Sequence, residues 1–153
     1  EAADNLREAY ALNPHDRSIW KVLGAAECGV DNFSRAETIY GNWLALNPPP
    51  AERQQIQVLH RAALALKQSV GQLADPMYEE RDRLEFYYYR GNAFRDLGLI
   101  QRAAESYQLI PQGNPQYFRA QFELRKLKSA VSGAQAAGGA APGHESEREG
   151  IRP

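Results

Sequence analysis

The chain lacks the features that mark several large protein classes. It has a single cysteine, Cys28, which excludes an internal disulfide framework. It contains no apolar run of about eighteen residues, so no membrane-spanning segment is expected within it. Its net charge is only −1, which provides no long-range field to attract polyanions, so neither nucleic acid nor an anionic membrane is expected as a partner. The 43% apolar content is enough to fill a modest core.

Groups that could perform catalysis or bind a metal are also scarce. The three histidines, His15, His60 and His144, are too far apart in the sequence to share a ligand spacing. Cys28 has Glu27 beside it but no histidine nearby to act as a base. The acidic residues between positions 79 and 85 alternate with arginines, which is typical of a solvated helix face. We therefore expect no enzyme, no metal and no cofactor.

What the chain does have is a recurring pattern of a small residue, a bulky apolar residue four positions later, and a proline eight positions after that. The three copies are Ala2, Leu6 and Pro14; then, thirty-four residues on, Ala36, Tyr40 and Pro48; then, after a further sixty-seven, Ala103, Tyr107 and Pro115. Such a pattern is typical of a short packing helix that ends at the proline. A period of this length indicates stacked repeats, which bury their apolar faces only against one another.

In the second and third copies of the pattern, three residues that precede the small residue also recur at the same spacing. The matching triplets, each starting sixteen residues before the small residue, are Trp20, Leu23 and Gly24, and Tyr87, Arg90 and Gly91. On a helix the first triplet and Glu27 share one stripe, so we expect Gly24 where the neighbouring helix crosses most closely. Glycine within a helix costs about 1 kcal/mol relative to alanine, which argues that packing requires it here.

These residues resemble the tetratricopeptide repeat (TPR) family, whose unit is a helix-turn-helix marked by W-x2-L-G-x2-Y, then A-x3-F, then P. The resemblance implies an all-α fold of stacked antiparallel helix hairpins in a right-handed superhelical solenoid. The expected repeat-packing residues are Ala2, Leu6, Ala9, Trp20, Leu23, Gly24, Ala36, Tyr40, Tyr87, Gly91, Phe94, Ala103 and Tyr107. The chain departs from the family pattern at four positions: Glu27 replaces an aromatic residue, Arg90 a leucine, and Trp43 and Ile110 a small alanine.

The pattern divides the chain into elements and two regions. Helices are predicted at 2–12, 17–30, 33–46, 51–71, 77–97, 100–110 and 115–130. Residues 51–83 fill one unit without its marks. We expect the helix that starts after Asp75-Pro76 to continue into Phe86, which leaves this unit with one overlong helix and no clean second one. Residues 1–131 should form the TPR-like domain and residues 132–153 a disordered tail, because the tail is rich in glycine, alanine, serine and charge.

The first copy of the pattern, Ala2, Leu6 and Pro14, belongs to the second helix of a unit. We therefore expect that the chain begins within a repeat and is part of a longer protein. An upstream targeting signal would then lie outside it. Localisation is therefore left open between cytoplasm and periplasm, and the oligomeric state is not assigned.

The leading functional hypothesis is a non-catalytic scaffold that binds a peptide or helix of another protein in its concave groove. Helical spacing places the candidate contacts opposite the packing stripe: Ser18, Lys21, Ala25 and Cys28 in one unit, and Glu85, Tyr88, Asn92 and Arg95 in the other. Lys21 and Asn92 each fit one position of the clamp with which some family members bind chaperone C-termini. Their companion residues are missing, so that clamp is not predicted.

Three other hypotheses remain open from the sequence. The first is an assembly, secretion or exopolysaccharide-export component of a bacterial envelope. The second is the regulatory repeat region of a larger enzyme. The third is an RNA-binding helical repeat, against which the weak charge counts.

Overall fold

The structure, a computed structural model, describes residues 2–138, and all of its regular secondary structure within that range is helical. The seven helices are α1 (Ala2–Leu12), α2 (Arg17–Gly29), α3 (Phe33–Ala45), α4 (Pro50–Ala74), α5 (Glu80–Asp96), α6 (Ile100–Gln108) and α7 (Tyr117–Gly138). Each helix packs against the next along the chain. The predicted all-α class and the packing of consecutive helices are therefore confirmed.

The helix ends differ from the predicted ones by a few residues, except at the end of α7. That helix continues to Gly138, past the predicted end near residue 130, and so includes residues 132–138 that the sequence analysis assigns to the tail. Residues 132–138 contain no proline to break the helix, and they include three alanines, the residue most favourable to helix. The predicted disorder of residues 139–153 lies outside the described residues.

The turns after α2 and α5 have the same hydrogen-bonding pattern. In the first, Asp31 takes a positive φ of 63°, and the N–H of Asn32 donates to the carbonyl of Glu27 at 2.8 Å. In the second, Gly98 takes a φ of 75°, and the N–H of Leu99 donates to the carbonyl of Phe94 at 2.9 Å. Both are Schellman turns, which satisfy the last carbonyls of a helix and reverse the chain. Asp31 and Gly98 are sixty-seven residues apart, so two equivalent turns have the same spacing as the sequence pattern.

In each of the two hairpins, α2–α3 and α5–α6, a tyrosine of the second helix packs against a glycine of the first. A Cβ added to Gly24 would lie 2.3 Å from Cζ of Tyr40, and one added to Gly91 would lie 2.5 Å from Cε1 of Tyr107. Both tyrosines are fully buried, as is Ala36. A tyrosine of the neighbouring helix therefore fills the space that a side chain at Gly24 would need, in agreement with the expected close packing, and the same contact occurs at Gly91.

In α1 the packing stripe is offset from the predicted one. Ala2 is exposed, whereas Ala3 is buried and Leu6 is half-buried against the core. The assignment of Ala2 as a packing residue is therefore wrong. The face of α1 that meets α2 contains Ala3, Leu6 and Tyr10, which follow helical spacing from position 3 and leave Ala2 outside the stripe.

The degenerate middle unit contains one long helix. After α4, residues 75–79 connect directly to α5, so there is no second helix between Ala74 and Glu80. α4 packs against α3 on one side and α5 on the other, and it also touches α2. Its buried residues follow helical spacing: Ile56, Leu59, Ala62, Ala63, Leu66 and Ser69. The helix therefore takes the place of a whole hairpin between the other two.

Within residues 2–138, none of the helices combines the length and the apolar character that crossing a lipid bilayer requires.

Candidate functional site

Three of the four candidate contacts on α2 reach solvent. Ser18 and Lys21 are exposed and Ala25 is half-buried. Asp16 caps this helix, because its carboxylate accepts from the backbone N–H of Ser18 at 3.0 Å and also from the Ser18 hydroxyl at 2.6 Å.

Cys28 does not belong to this surface, because its side chain is fully buried. The sequence predicted one buried stripe on α2. Because α2 packs against α1, α3 and α4, a wider part of its surface is buried, and this part includes Cys28. Burial, together with the nearby carboxylates of Glu27 and Asp31, raises the pKa of the Cys28 thiol to about 12. The thiol is therefore protonated at neutral pH, and its position favours packing over nucleophilic chemistry.

The candidate contacts on α5 take part in the packing of α5 against its neighbours. The Tyr88 ring packs on Tyr107 with centroids 5.9 Å apart, and the Tyr107 hydroxyl donates to Oδ1 of Asn92 at 2.7 Å. Arg95 pairs with Glu123 on α7 at 2.9 Å. Glu85 is half-buried. These side chains keep only part of their binding capacity for a partner, and Arg95 keeps the least.

The two sets of candidates are not on adjoining helices. α3 and α4 separate α2 from α5 along the chain, and α4 packs against both. The surface beside the α5 candidates is therefore built with α4, which the sequence analysis did not include among the contacts.

This surface, the α4–α5 groove, is an open depression of about 280 Å³. Its walls are Val58, Arg61, Ala62 and Ala65 of α4 and Tyr89, Asn92, Ala93 and Asp96 of α5. Alanines form much of its floor, while Val58 and Tyr89 remain about half exposed, at 42% and 55%. Asn92 is the one candidate predicted from sequence that lines it. Small residues along facing helices leave room for another chain, and the polar groups can orient that chain.

A buried ionic cluster ties the first three helices together. The fully buried carboxylate of Glu27 accepts two hydrogen bonds from Arg7, both at 2.7 Å, and one from the Asn32 amide at 2.9 Å. Arg35 lies 3.1 Å away on α3. Hydrogen bonds from Arg7, the largest effect, with Asn32 and the charge of Arg35, hold the pKa of Glu27 below its usual value despite burial. In the sequence, the only indication of this cluster is that a charged residue, Glu27, stands in the apolar stripe of α2.

A second contact, the Arg102 bridge, joins the two hairpins. Arg102 on α6 donates to the Gly29 carbonyl at 2.9 Å and to the Asp31 carboxylate at 2.6 Å. Its guanidinium also lies over the Phe94 ring, 4.8 Å from the centroid, and that ring packs against Phe33. The contact spans about seventy residues of chain, and no spacing rule in the sequence could indicate it.

No group of three or more histidine, cysteine, aspartate or glutamate side chains with a geometry suited to a metal ion occurs among residues 2–138. Comparisons of the chain with protein-family models, with curated proteins and with solved structures each found no match.

Proposed function

We propose that this chain is a non-catalytic scaffold of TPR-like stacked helices that binds a segment of another protein. The repeated Schellman turns and the repeated glycine–tyrosine crossings support the repeat assignment, because two sequence units sixty-seven residues apart adopt the same local structure. Repeats of this kind bury their apolar faces against each other and present extended surfaces between helices.

The observation that carries the proposal is the α4–α5 groove. It combines an apolar alanine floor with polar groups from both walls and an exposed tyrosine, a residue type that concentrates binding energy at protein interfaces. Tyr107 donates to Oδ1 of Asn92, which leaves the Asn92 amide N–H groups to donate to a ligand. Arg61 is exposed on the opposite wall. This pattern suits an extended segment, whose backbone needs polar partners along its length.

The direct test is a comparison of partners between variants. The sequence alone would suggest reversing the charge of Arg95, but that residue pairs with Glu123 and Asp96, so its reversal would damage packing as well as binding. The better groove variant combines Tyr89→Ala with Val58→Glu, since both side chains are exposed and line the groove. The matched control combines Phe118→Ala with Val22→Glu, which change an exposed aromatic residue and an exposed valine outside the groove.

We expect proteins that co-purify with the wild-type chain to be depleted about tenfold or more with the groove variant and retained with the control. The affinity of a partner identified in this way should fall by a similar factor. If the groove variant folds, by circular dichroism, and keeps the full set of partners at unchanged affinity, the assignment of the groove is wrong.

A further inference from the structure

A second open surface, the α6–α7 groove, has a different chemistry from the first. It is a depression of about 540 Å³ between α6 and α7. Its lining residues are Ile100, Gln101, Ala104 and Gln108 of α6, and Leu124, Leu127, Lys128, Val131 and Ser132 of α7. The aliphatic residues form a continuous floor, and the polar residues stand among them on the two helices. The groove lies apart from the α4–α5 groove, and none of its lining residues is shared with it.

The repeat spacing shows that this flank of α7 differs from the closed hairpins. Arg125 stands thirty-four residues after Gly91, one repeat period later, and it is exposed. In α2 and α5 the corresponding position is a glycine covered by a tyrosine ring. An arginine cannot permit so close a crossing. A helix that packs on this flank of α7 would therefore lie at an ordinary packing distance.

The charge on this flank is positive. Arg125 and Lys128 are both exposed, and neither forms an ion pair among the described residues. The one acidic residue of α7 within residues 117–134, Glu123, faces the other way and pairs with Arg95 and Lys126. A partner that fills the groove would therefore gain from carboxylates on the side that meets α7.

The floor of the groove favours a helix over an extended strand. An extended peptide exposes an N–H and a carbonyl at every residue, and each loses hydrogen bonds to water when it is buried without a partner. The aliphatic residues of this groove offer no such partners, and its four polar lining side chains are too few to pair every backbone group of an extended segment. A helix satisfies its backbone internally and needs only apolar side chains along one face.

We propose that the α6–α7 groove binds an amphipathic helix of a partner protein. The apolar face of that helix carries large aliphatic residues at positions i, i+3 or i+4, and i+7, and its flank toward α7 carries aspartate or glutamate opposite Arg125 and Lys128.

The test uses a display library of unconstrained, randomised peptides of about 20 residues, selected against the whole chain. Helices that bind should carry the aliphatic pattern with acidic residues on one flank. Their affinity should fall about tenfold with Val131→Glu, which places a charge in the groove, and stay within about twofold with Ala130→Glu, a neighbouring exposed position outside it.

A charge-matched pair tests the electrostatic part. Lys128→Glu lies on the groove and should weaken binding of the acidic helices by about fivefold and reduce the salt dependence of their affinity. Arg119→Glu changes the net charge equally at an exposed α7 position outside the groove and should have little effect. A selected helix in which the acidic residues are replaced by lysine should bind Lys128→Glu better than the wild type.

Several results would overturn the proposal. A library that yields no binder sensitive to Val131→Glu would do so, as would selected binders with basic flanks or with extended, proline-containing sequences. Sedimentation of the chain alone could also reveal a dimer that Val131→Glu dissociates, which would assign the groove to a second copy. Binding to anionic lipid vesicles that is lost with Val131→Glu would assign it to a membrane surface. The tests of the α4–α5 groove alter other residues, so either proposal can fail without the other.

Discussion

At the scale of single residues, the structure depends on two positions that have no side chain. Gly24 and Gly91 let the rings of Tyr40 and Tyr107 lie against the backbone of the preceding helix. Each tyrosine is held at its far end, since the Tyr40 hydroxyl donates to the Lys21 carbonyl and that of Tyr107 donates to Asn92. The rings therefore cannot move aside without losing a hydrogen bond.

We predict that Gly24→Ala and Gly91→Ala each lower the free energy of unfolding by about 1–3 kcal/mol, because the new methyl group overlaps a buried ring. The measurement is chemical denaturation monitored by circular dichroism. Gly71→Ala is the matched control, since it lies within α4 and a Cβ there meets no atom within 4 Å. That control should stabilise the chain by up to about 1 kcal/mol through helix propensity. A stabilising effect at Gly24 would contradict the close crossing.

Glu27 shows how a residue that breaks the repeat pattern can be accommodated. The corresponding position in the other hairpin, sixty-seven residues later, is Phe94. An arginine follows eight residues after each of them, Arg35 and Arg102. Arg35 forms an ion pair with the carboxylate, whereas Arg102 lies over the aromatic ring. The same repeat position therefore supports either residue, through charge in one hairpin and through a cation–π contact in the other.

We predict that Glu27→Gln destabilises the fold by about 2–3 kcal/mol near neutral pH, because it leaves Arg7 without its buried counter-charge. The pKa of Glu27 is lowered in the folded state, so its contribution is present above the unfolded pKa of about 4.3 and is lost as pH falls through the folded value. The stability difference between wild type and variant should therefore be constant from pH 7 down to about 5 and shrink below about pH 4. A difference that is independent of pH down to pH 2 would contradict this role.

At the scale of helices, periodic apolar spacing and the prolines were enough to place all seven elements. Asn13-Pro14 and Asn47 through Pro49 fall in the connections between helices, and Pro50 is the first residue of α4. The sequence predicted that the helix after Asp75-Pro76 is the overlong one, but α5 begins only at Glu80, and α4, with 25 residues, is the long helix. The end of α7 was missed, since a sequence rich in small residues is compatible with both helix and tail.

The Arg102 bridge could not be found from sequence, because it joins a side chain on α6 to a turn of the first hairpin. We predict that Arg102→Met lowers the free energy of unfolding by about 1–3 kcal/mol, through loss of two hydrogen bonds and the contact with Phe94. Hydrogen exchange should quicken at the Asn32 amide in the facing turn.

A suitable control for that variant is Lys126→Met, which removes an exposed cation that lies over the Phe122 ring and 3.5 Å from Glu123. Exposed pairs of this kind contribute little, so the stability should change by less than about 1 kcal/mol. Equal effects of the two substitutions would show that the bridge does not hold the hairpins together.

At the scale of the whole molecule, the site was less predictable than the fold. Of the candidate contacts, Ser18 and Lys21 are exposed and Asn92 lines a groove, whereas Cys28 is buried. The opposite wall of that groove comes from α4, whose degenerate sequence gave no reason to include Val58 or Arg61. Arg95 and Tyr88 face outward on their own helix, but contacts with Glu123 and Tyr107 occupy them. Which side chain of another helix a residue contacts depends on tertiary packing, and the spacing of residues within one helix does not contain that information.

The contacts of α4 with both hairpins, and the Arg102 bridge, predict that the described residues unfold as one unit. Both tryptophans, Trp20 and Trp43, lie in the first hairpin, so their fluorescence reports on that hairpin and its contacts with α1 and α4, whereas circular dichroism reports every helix. The two signals should give the same midpoint in urea within error. Separate midpoints would mean that the hairpins are independent.

The central claim is that two sequence units sixty-seven residues apart form the same glycine–tyrosine crossing. The most direct measurement is a nuclear Overhauser spectrum of the chain, read at the α protons of Gly24 and Gly91. We predict strong cross-peaks from Gly24 to the Tyr40 ring and from Gly91 to the Tyr107 ring, with α protons shifted upfield by the rings. Absence of both cross-peaks, with glycine shifts typical of an unstructured chain, would contradict the account.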